Sequence, residues 1–138
     1  MRHFELYELV DRATFQKWGQ DAWSLFHPDL LLTLDGIRDF FNVPVTVNNW
    51  YGGGPFQYRG YRGPECPIGA PASYHKNGMA ADFDVKGYTA EDARRIIVEN
   101  KNNEFLQYIT RMERDVNWVH IDLAELRKDQ KRIYLFKG

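Results

Sequence analysis

Two short segments of the chain contain the residues best suited to chemistry. The first covers residues 73–82, and the second covers residues 118–122. Zinc accepts imidazole nitrogens and carboxylate oxygens, and a catalytic zinc has three protein ligands and one open position. His75, Asp82 and His120 would supply those three ligands. The residue types therefore predict a site for one Zn²⁺ ion.

The spacing of the first segment is compatible with such a site. Gly78 permits a tight bend after His75, because glycine has no side chain to resist it. Ala80 and Asp82 then share one face of the strand that follows, since side chains alternate along a strand. The small Ala80 side chain leaves room beside the metal.

Three further residues are expected to support the ligands without binding the metal. Trp118 and Asp122 would share a strand face with His120, where the Asp122 carboxylate could orient the imidazole. Ser73 opens the first segment. Taken singly, a histidine on an apolar strand is usually a hydrogen-bonded core residue, and an aspartate shortly before a helix is often a turn former. Five specified residue types at the spacings of these segments would occur by chance with a probability on the order of one in a million per start position. The pattern as a whole therefore favours the metal site.

Periodicity and turn signals predict the helices that must position these segments. Apolar residues recur at helical spacing over 4–26 and again over 30–41, with Pro28 suited to a first helical turn. Residues 89–100 give the clearest helix, which Thr89 would cap.

Strand candidates follow later in the chain, at residues 43–48, 80–86, 107–113, 118–123 and 132–136. Residues 51–72 hold most of the glycines and prolines, and we expect a long irregular loop there. Helices come first and strands later. This order predicts a single α+β domain over residues 1–138, with N-terminal helices packed on a small, mainly antiparallel sheet that bears the zinc site.

Bulk properties argue against several classes of protein. The net charge of -1 gives no broad attraction to nucleic acid or to an anionic membrane. Cys66 is the single cysteine and cannot form an intramolecular disulfide. The chain has no apolar run near the ~20 residues of a membrane helix and no signal-peptide pattern at its start. We expect a monomer made in the cytoplasm, without nucleic-acid partners or membrane insertion.

The motif residues resemble those of a known family. Ser73, His75, Gly78, Ala80 and Asp82, followed by Trp118 and His120, resemble the zinc D-Ala-D-Ala carboxypeptidase family, which includes phage endolysins and is related to hedgehog signalling domains. Upstream, residues 45–50 and Gly60-Tyr61-Arg62 look like the strand and the Gly-Tyr-Arg segment of the phage-type branch. The resemblance covers roughly residues 43–123.

This resemblance implies a zinc metallopeptidase that cuts peptidoglycan stem peptides, as an endolysin-like endopeptidase or a D,D-carboxypeptidase. Zinc would polarise the scissile carbonyl and lower the pKa of a coordinated water toward ~7. Arg62 would hold a substrate carboxylate, because a planar bidentate donor suits that task, and Arg59 is the alternative. The lack of a signal peptide would fit a phage or prophage protein that a holin or the virion delivers to the cell wall.

The family pattern leaves the general base open. Many members have an acidic residue three positions before the last histidine, where this chain has Asn117, which cannot take a proton. We predict Glu113 as the base. A four-residue hairpin loop over 114–117 would pair Glu113 across from Trp118 and turn it to the face that bears His120.

Two alternatives remain at this point. Asp115 is the second nearby carboxylate, although its place in the turn favours a capping role. The chain could also be a non-catalytic module that keeps the metal for structure, as a virion or cell-wall-binding component, and Asn117 favours that hypothesis.

Overall fold

The computed structural model describes residues 1–64, 66–68 and 73–138, which form three α-helices and a five-stranded sheet. The helices are α1 (Arg12–Trp18), α2 (Pro28–Phe41) and α3 (Ala90–Glu99). The strands are β1 (Val45–Thr46), β2 (Ala80–Val85), β3 (Arg111–Arg114), β4 (Val119–Asp122) and β5 (Tyr134–Lys137). Short 3₁₀ turns lie at Leu6–Glu8, Gly19–Leu25, Trp50–Gly52, Tyr74–Asn77 and Glu104–Leu106.

Local capping chemistry sets the helix boundaries. Pro28 occupies the first turn of α2, where a missing N–H loses no hydrogen bond. The same helix ends before Asn42, whose left-handed conformation (φ 55°) stops it. The Thr89 hydroxyl accepts the backbone N–H of Asp92 and caps α3, which confirms the predicted cap.

The sheet has the strand order β1-β2-β4-β3-β5. Its first three pairings are antiparallel, whereas β5 pairs parallel with β3. The predicted α+β class is confirmed, but the sheet is mixed, and the prediction of a mainly antiparallel sheet needs this correction. The parallel pairing arises because residues 123–133 return the chain past β3 to the sheet edge instead of forming a hairpin.

Several strand limits differ from the predicted ones. The predicted strand over 107–113 begins only at Arg111, and β4 begins after Trp118. Pairing of Arg111 with Asp122 sets the register of the β3–β4 hairpin. Its loop consequently covers residues 115–118, one position later than predicted.

An apolar core lies against one face of the sheet. Alternate residues of β2 and β4 supply that face, namely Ala81, Phe83, Val119 and Ile121, and all are buried. The helices cover them with Leu30, Leu34, Ile37, Ala93 and Ile97. The intervening residues of both strands consequently point to the opposite face. None of the helices in the described ranges is long and apolar enough to span a membrane.

Candidate metal centre

Three side chains converge on the sheet face opposite the core. His75 lies in the 3₁₀ turn before β2, Asp82 in β2 and His120 in β4. Asp82 and His120 are direct cross-strand partners, so the sheet register itself brings them together. One ligand atom from each of the three lies within 4.8 Å of the others, and all three residues are buried. Two imidazoles and a carboxylate in this arrangement fit one zinc ion.

Backbone contacts fix the orientation of His75. Its Nδ1 donates to the Gly60 carbonyl at 2.9 Å, so Nε2 is the nitrogen left for a metal. That Nε2 lies 3.4 Å from Asp82 Oδ2. The Ser73 hydroxyl accepts the backbone N–H of His75 at 3.3 Å and caps the turn that carries it. Ser73 therefore supports the ligand through the main chain.

His120 lies between two carboxylates. Its Nδ1 is 2.7 Å from Asp82 Oδ1, and its Nε2 is 2.9 Å from Asp122 Oδ2. Donation from Nε2 to Asp122 leaves Nδ1 as the metal-binding atom. The two histidines would thus bind through different nitrogens, and Asp122 lies at the position expected for an orienting carboxylate.

Asp122 is fully buried, and its two oxygens accept four hydrogen bonds. Apart from His120, the donors are the backbone N–H of Ala124 at 3.2 Å and the Nε and Nη2 of Arg111, both at 2.8 Å. Arg111 was missed at the level of sequence. The one signal that could have found it is its cross-strand pairing with Asp122, which requires the register.

Burial and hydrogen bonding shift the pKa values of this cluster. Burial raises the pKa of Asp82, but hydrogen bonds from His120 and His75 outweigh it and hold the pKa well below its usual range. Burial lowers the pKa of His120, but hydrogen bonds to Asp122 and Asp82 raise it to about 9. Asp122 behaves like Asp82, because His120 and Arg111 lower its pKa against the effect of burial. Without metal, His120 is therefore a cation at neutral pH.

Of the two arginines considered for substrate binding, Arg62 lies beside the ligands. Its Nη2 is 3.4 Å from Asp82 Oδ2, and its Nε donates to a main-chain carbonyl at 2.7 Å. The Arg59 guanidinium forms bonds of 2.8 and 3.2 Å with the two oxygens of Asp84. Arg62 is thus the better-placed cation for a carboxylate near the metal.

Glu113 lies in β3 on the face that carries His120. Continuing the observed register from the Arg111–Asp122 pair puts Glu113 opposite His120, where Trp118 was predicted. The shift is an even number of residues, so Glu113 keeps the predicted face. The half-buried position is compatible with a general base, and that role stays a prediction.

The other residues near the hairpin turn are placed differently. Asp115 is exposed in the turn, with a positive φ of 64°, and pairs with Arg114 at 2.7 Å. Asn117 is exposed. Trp118 lies in the loop before β4, so its predicted place within that strand is corrected, and its supporting role stays a prediction. Within the described residues its buried Nε1 has no hydrogen-bond partner.

Comparison with known proteins defines the family. A family model described as Peptidase M15 matches residues 2–122. The chain belongs to the Peptidase M15 family. The match begins well before the histidine segments, so the N-terminal helices are part of the family domain. No curated protein and no solved structure matches the chain. Membership supports a metallopeptidase in general, and zinc fits the ligand set.

The raised pKa of His120 predicts how the zinc affinity of this M15-family protein would depend on pH if the three residues hold the ion. Zinc must displace the His120 proton, so apparent affinity should rise about tenfold per pH unit up to about pH 9. Competition titrations against a chelator, corrected for its own protonation, would measure this. Binding at neutral pH should also release about one proton from His120 per zinc. Affinity that is independent of pH between 6.5 and 9 would contradict the prediction.

The raised pKa of His120 also affects the stability of the metal-free protein. Folding raises this pKa from 6.5 to about 9. The protonated imidazole therefore stabilises the metal-free fold fully below about pH 6.5, and that stabilisation is lost as the pH rises through about 9.

Gly78 closes the turn that carries His75, with φ 68°. A Cβ there would lie 2.2 Å from the Leu25 carbonyl oxygen, which is main chain and cannot move aside. We expect Gly78→Ala to lower the free energy of unfolding by about 1–3 kcal/mol because of the left-handed conformation, and further because of the clash. Gly87→Ala is the matched control, because Gly87 also has a positive φ (86°) but nothing within 4 Å of an added Cβ. Urea unfolding should show the larger loss for Gly78→Ala, and equal losses would contradict this account.

A groove of about 1120 Å³ lies on the helix side of the sheet, between α3 and the 115–118 loop. Arg94, on α3, borders it and donates to the carbonyls of Val116 and Trp118 at 3.2 Å each. None of the three ligands lines this groove. The groove of this M15-family protein is therefore separate from the candidate metal ligands.

Proposed function

We propose that this chain is a zinc-dependent peptidase that cleaves amide bonds in peptidoglycan stem peptides or their cross-links and acts as a monomer. The supporting observation is the convergence of His75, Asp82 and His120, all buried, in a member of the Peptidase M15 family. Zinc bound there would supply a Lewis acid and a water molecule of lowered pKa. The remaining steps belong to the protein's own side chains.

Arg62 would orient the substrate by binding a carboxylate of the stem peptide. Its side chain is only 12% exposed, and its Nε is held by the Tyr58 carbonyl. The guanidinium is therefore fixed in position, with an Nη edge directed to the ligand cluster. A carboxylate held there bidentately would bring the neighbouring amide bond to the metal.

Glu113 would accept the proton of the attacking water and return it to the leaving amine. The assignment is supported by its position in the register opposite His120, on the ligand face of the sheet. A base must reach the water directly or through one further water molecule. Asn117 cannot serve, since an amide does not take up a proton in this pH range.

Digestion of purified peptidoglycan tests the proposed function. We expect soluble fragments with newly formed amino groups, loss of the reaction after chelation, and recovery on adding zinc. Mass spectrometry of the fragments would identify the bond and separate endopeptidase from carboxypeptidase products. Digestion that survives chelation, or fragments cut only in the glycan, would refute the proposal.

The exposed Asn117 favours a second candidate, a non-catalytic module in which the metal stabilises the fold for binding or for a virion structure. That candidate predicts one metal ion per chain, a large loss of stability on chelation, and no cleavage of any peptidoglycan by the intact protein. Binding to peptidoglycan without fragment release would support it over the peptidase.

A further inference from the structure

Arg111 connects several parts of the metal centre without reaching the metal itself. It lies on β3 directly across from Asp122 on β4, and the two side chains form a bidentate ion pair with both bonds at 2.8 Å. Asp122 in turn holds Nε2 of His120 at 2.9 Å. A continuous chain of contacts therefore leads from Arg111 to a ligand.

Two aromatic rings hold the guanidinium in place. The Arg111 Cζ lies 5.2 Å from the centroid of Tyr74 and 4.3 Å from that of Phe136. Tyr74 directly precedes the ligand His75, while Phe136 also meets the His120 ring edge-on at 5.5 Å. Arg111 thus packs between the turn that carries His75 and a ring on β5 that contacts His120.

The pattern of bonds at Asp122 shows what the arginine contributes. Oδ2 accepts from His120 and from Arg111 Nη2, while Oδ1 accepts from Arg111 Nε and the backbone N–H of Ala124. Each oxygen would keep a single donor without Arg111, and the carboxylate could then rotate. Rotation would release the His120 imidazole, because Nε2 would lose its fixed acceptor.

We propose that Arg111 is a positioning residue of the metal centre, which clamps the Asp122 carboxylate so that His120 presents Nδ1 to the metal. The inference rests on the proposed function, since it requires a metal held by His75, Asp82 and His120. It assigns the effect to the planar two-point geometry of the guanidinium and not to its charge alone. Lysine keeps the charge but cannot donate in parallel to both carboxylate oxygens.

Cobalt(II) substitution gives a readout that does not depend on activity. We would measure Co²⁺ affinity by competition and record the visible absorption of bound Co²⁺, which reports ligand geometry, for the whole chain and for Arg111→Lys. Arg111→Lys should weaken binding about 10- to 100-fold and change the spectrum. Arg95→Lys is the matched control, because Arg95 pairs with exposed Asp92 and Glu99 on α3 and should bind Co²⁺ like the unmodified chain.

A double-mutant cycle tests the route through Asp122. Asp122→Asn alone should weaken Co²⁺ binding, and adding Arg111→Lys to it should produce little further loss. Arg111→Met also removes the charge, and it is compared only if thermal unfolding shows that the variant is folded. If it is not folded, Arg111→Lys alone tests the positioning role.

The outcomes separate this inference from the function on which it rests. Unchanged affinity and spectrum in Arg111→Lys, or additive losses in the double variant, would overturn the positioning role and leave the metal centre intact. Failure of the unmodified chain to bind Co²⁺, or equal binding after His75→Ala, would overturn the metal centre and this role with it.

Discussion

His75→Ala should release the metal and reduce peptidase activity by about 10³-fold or more. Nε2 of His75 is one of three buried ligand atoms, and its loss leaves a site with only Asp82 and His120. Lewis-acid stabilisation contributes several kcal/mol to such reactions, and each 1.36 kcal/mol is a factor of ten in rate. Metal content by mass spectrometry and initial rates on peptidoglycan fragments would measure both effects.

His3→Ala is the matched control for this substitution. His3 pairs with Asp39, far along the chain from the ligand segments, and its side chain is partly exposed. The variant should keep its zinc and its activity. Full activity in a folded His75→Ala protein would contradict the assignment of His75 as a ligand, whereas parallel losses in both variants would indicate a general effect on folding.

Glu113→Gln should lower kcat by about 10²- to 10⁴-fold while the zinc content stays at the level of the unmodified protein. The amide has nearly the shape of the carboxylate but cannot accept the proton of the attacking water. Glu113 lies outside the ligand set, so metal binding should be unaffected. Steady-state kinetics together with metal analysis would separate a lost base from a lost metal.

Asp115→Asn serves as the comparison, since Asp115 is exposed in the hairpin turn and pairs with Arg114. It should retain most of the activity. The reverse result, with Asp115→Asn inactive and Glu113→Gln active, would transfer the role of general base to Asp115. If both variants are as active as the unmodified protein, neither carboxylate is the general base.

Local signals were sufficient for the main helices and for the turn and strand that carry His75 and Asp82. Thr89 capping and Pro28 at a helix start are properties of a few neighbouring residues, and both appear in the structure as predicted. Gly78 and the alternation of β2 likewise depend only on local backbone geometry. Such features can be predicted because no distant contact is needed to produce them.

Features that depend on pairing could not be predicted. The predicted strand over 107–113 begins only at Arg111, because residues 107–110 lie outside any strand, and β5 joins the sheet in parallel. Periodicity carries no information about which strand lies alongside another. The role of Arg111 could not be predicted for the same reason. Its partner Asp122 is eleven residues away and contacts it only through the register of β3 with β4.

The cross-strand pairing of Asp82 with His120 has a consequence for how the chain folds. A slip of one residue between β2 and β4 would turn one of these side chains toward the core and leave the metal with two ligands. Zinc held by His75, Asp82 and His120 would bind the native β2–β4 pairing more tightly than any slipped pairing, so by mass action it would enrich the native alignment. The ion would then favour the native strand register during folding, in addition to any role in catalysis.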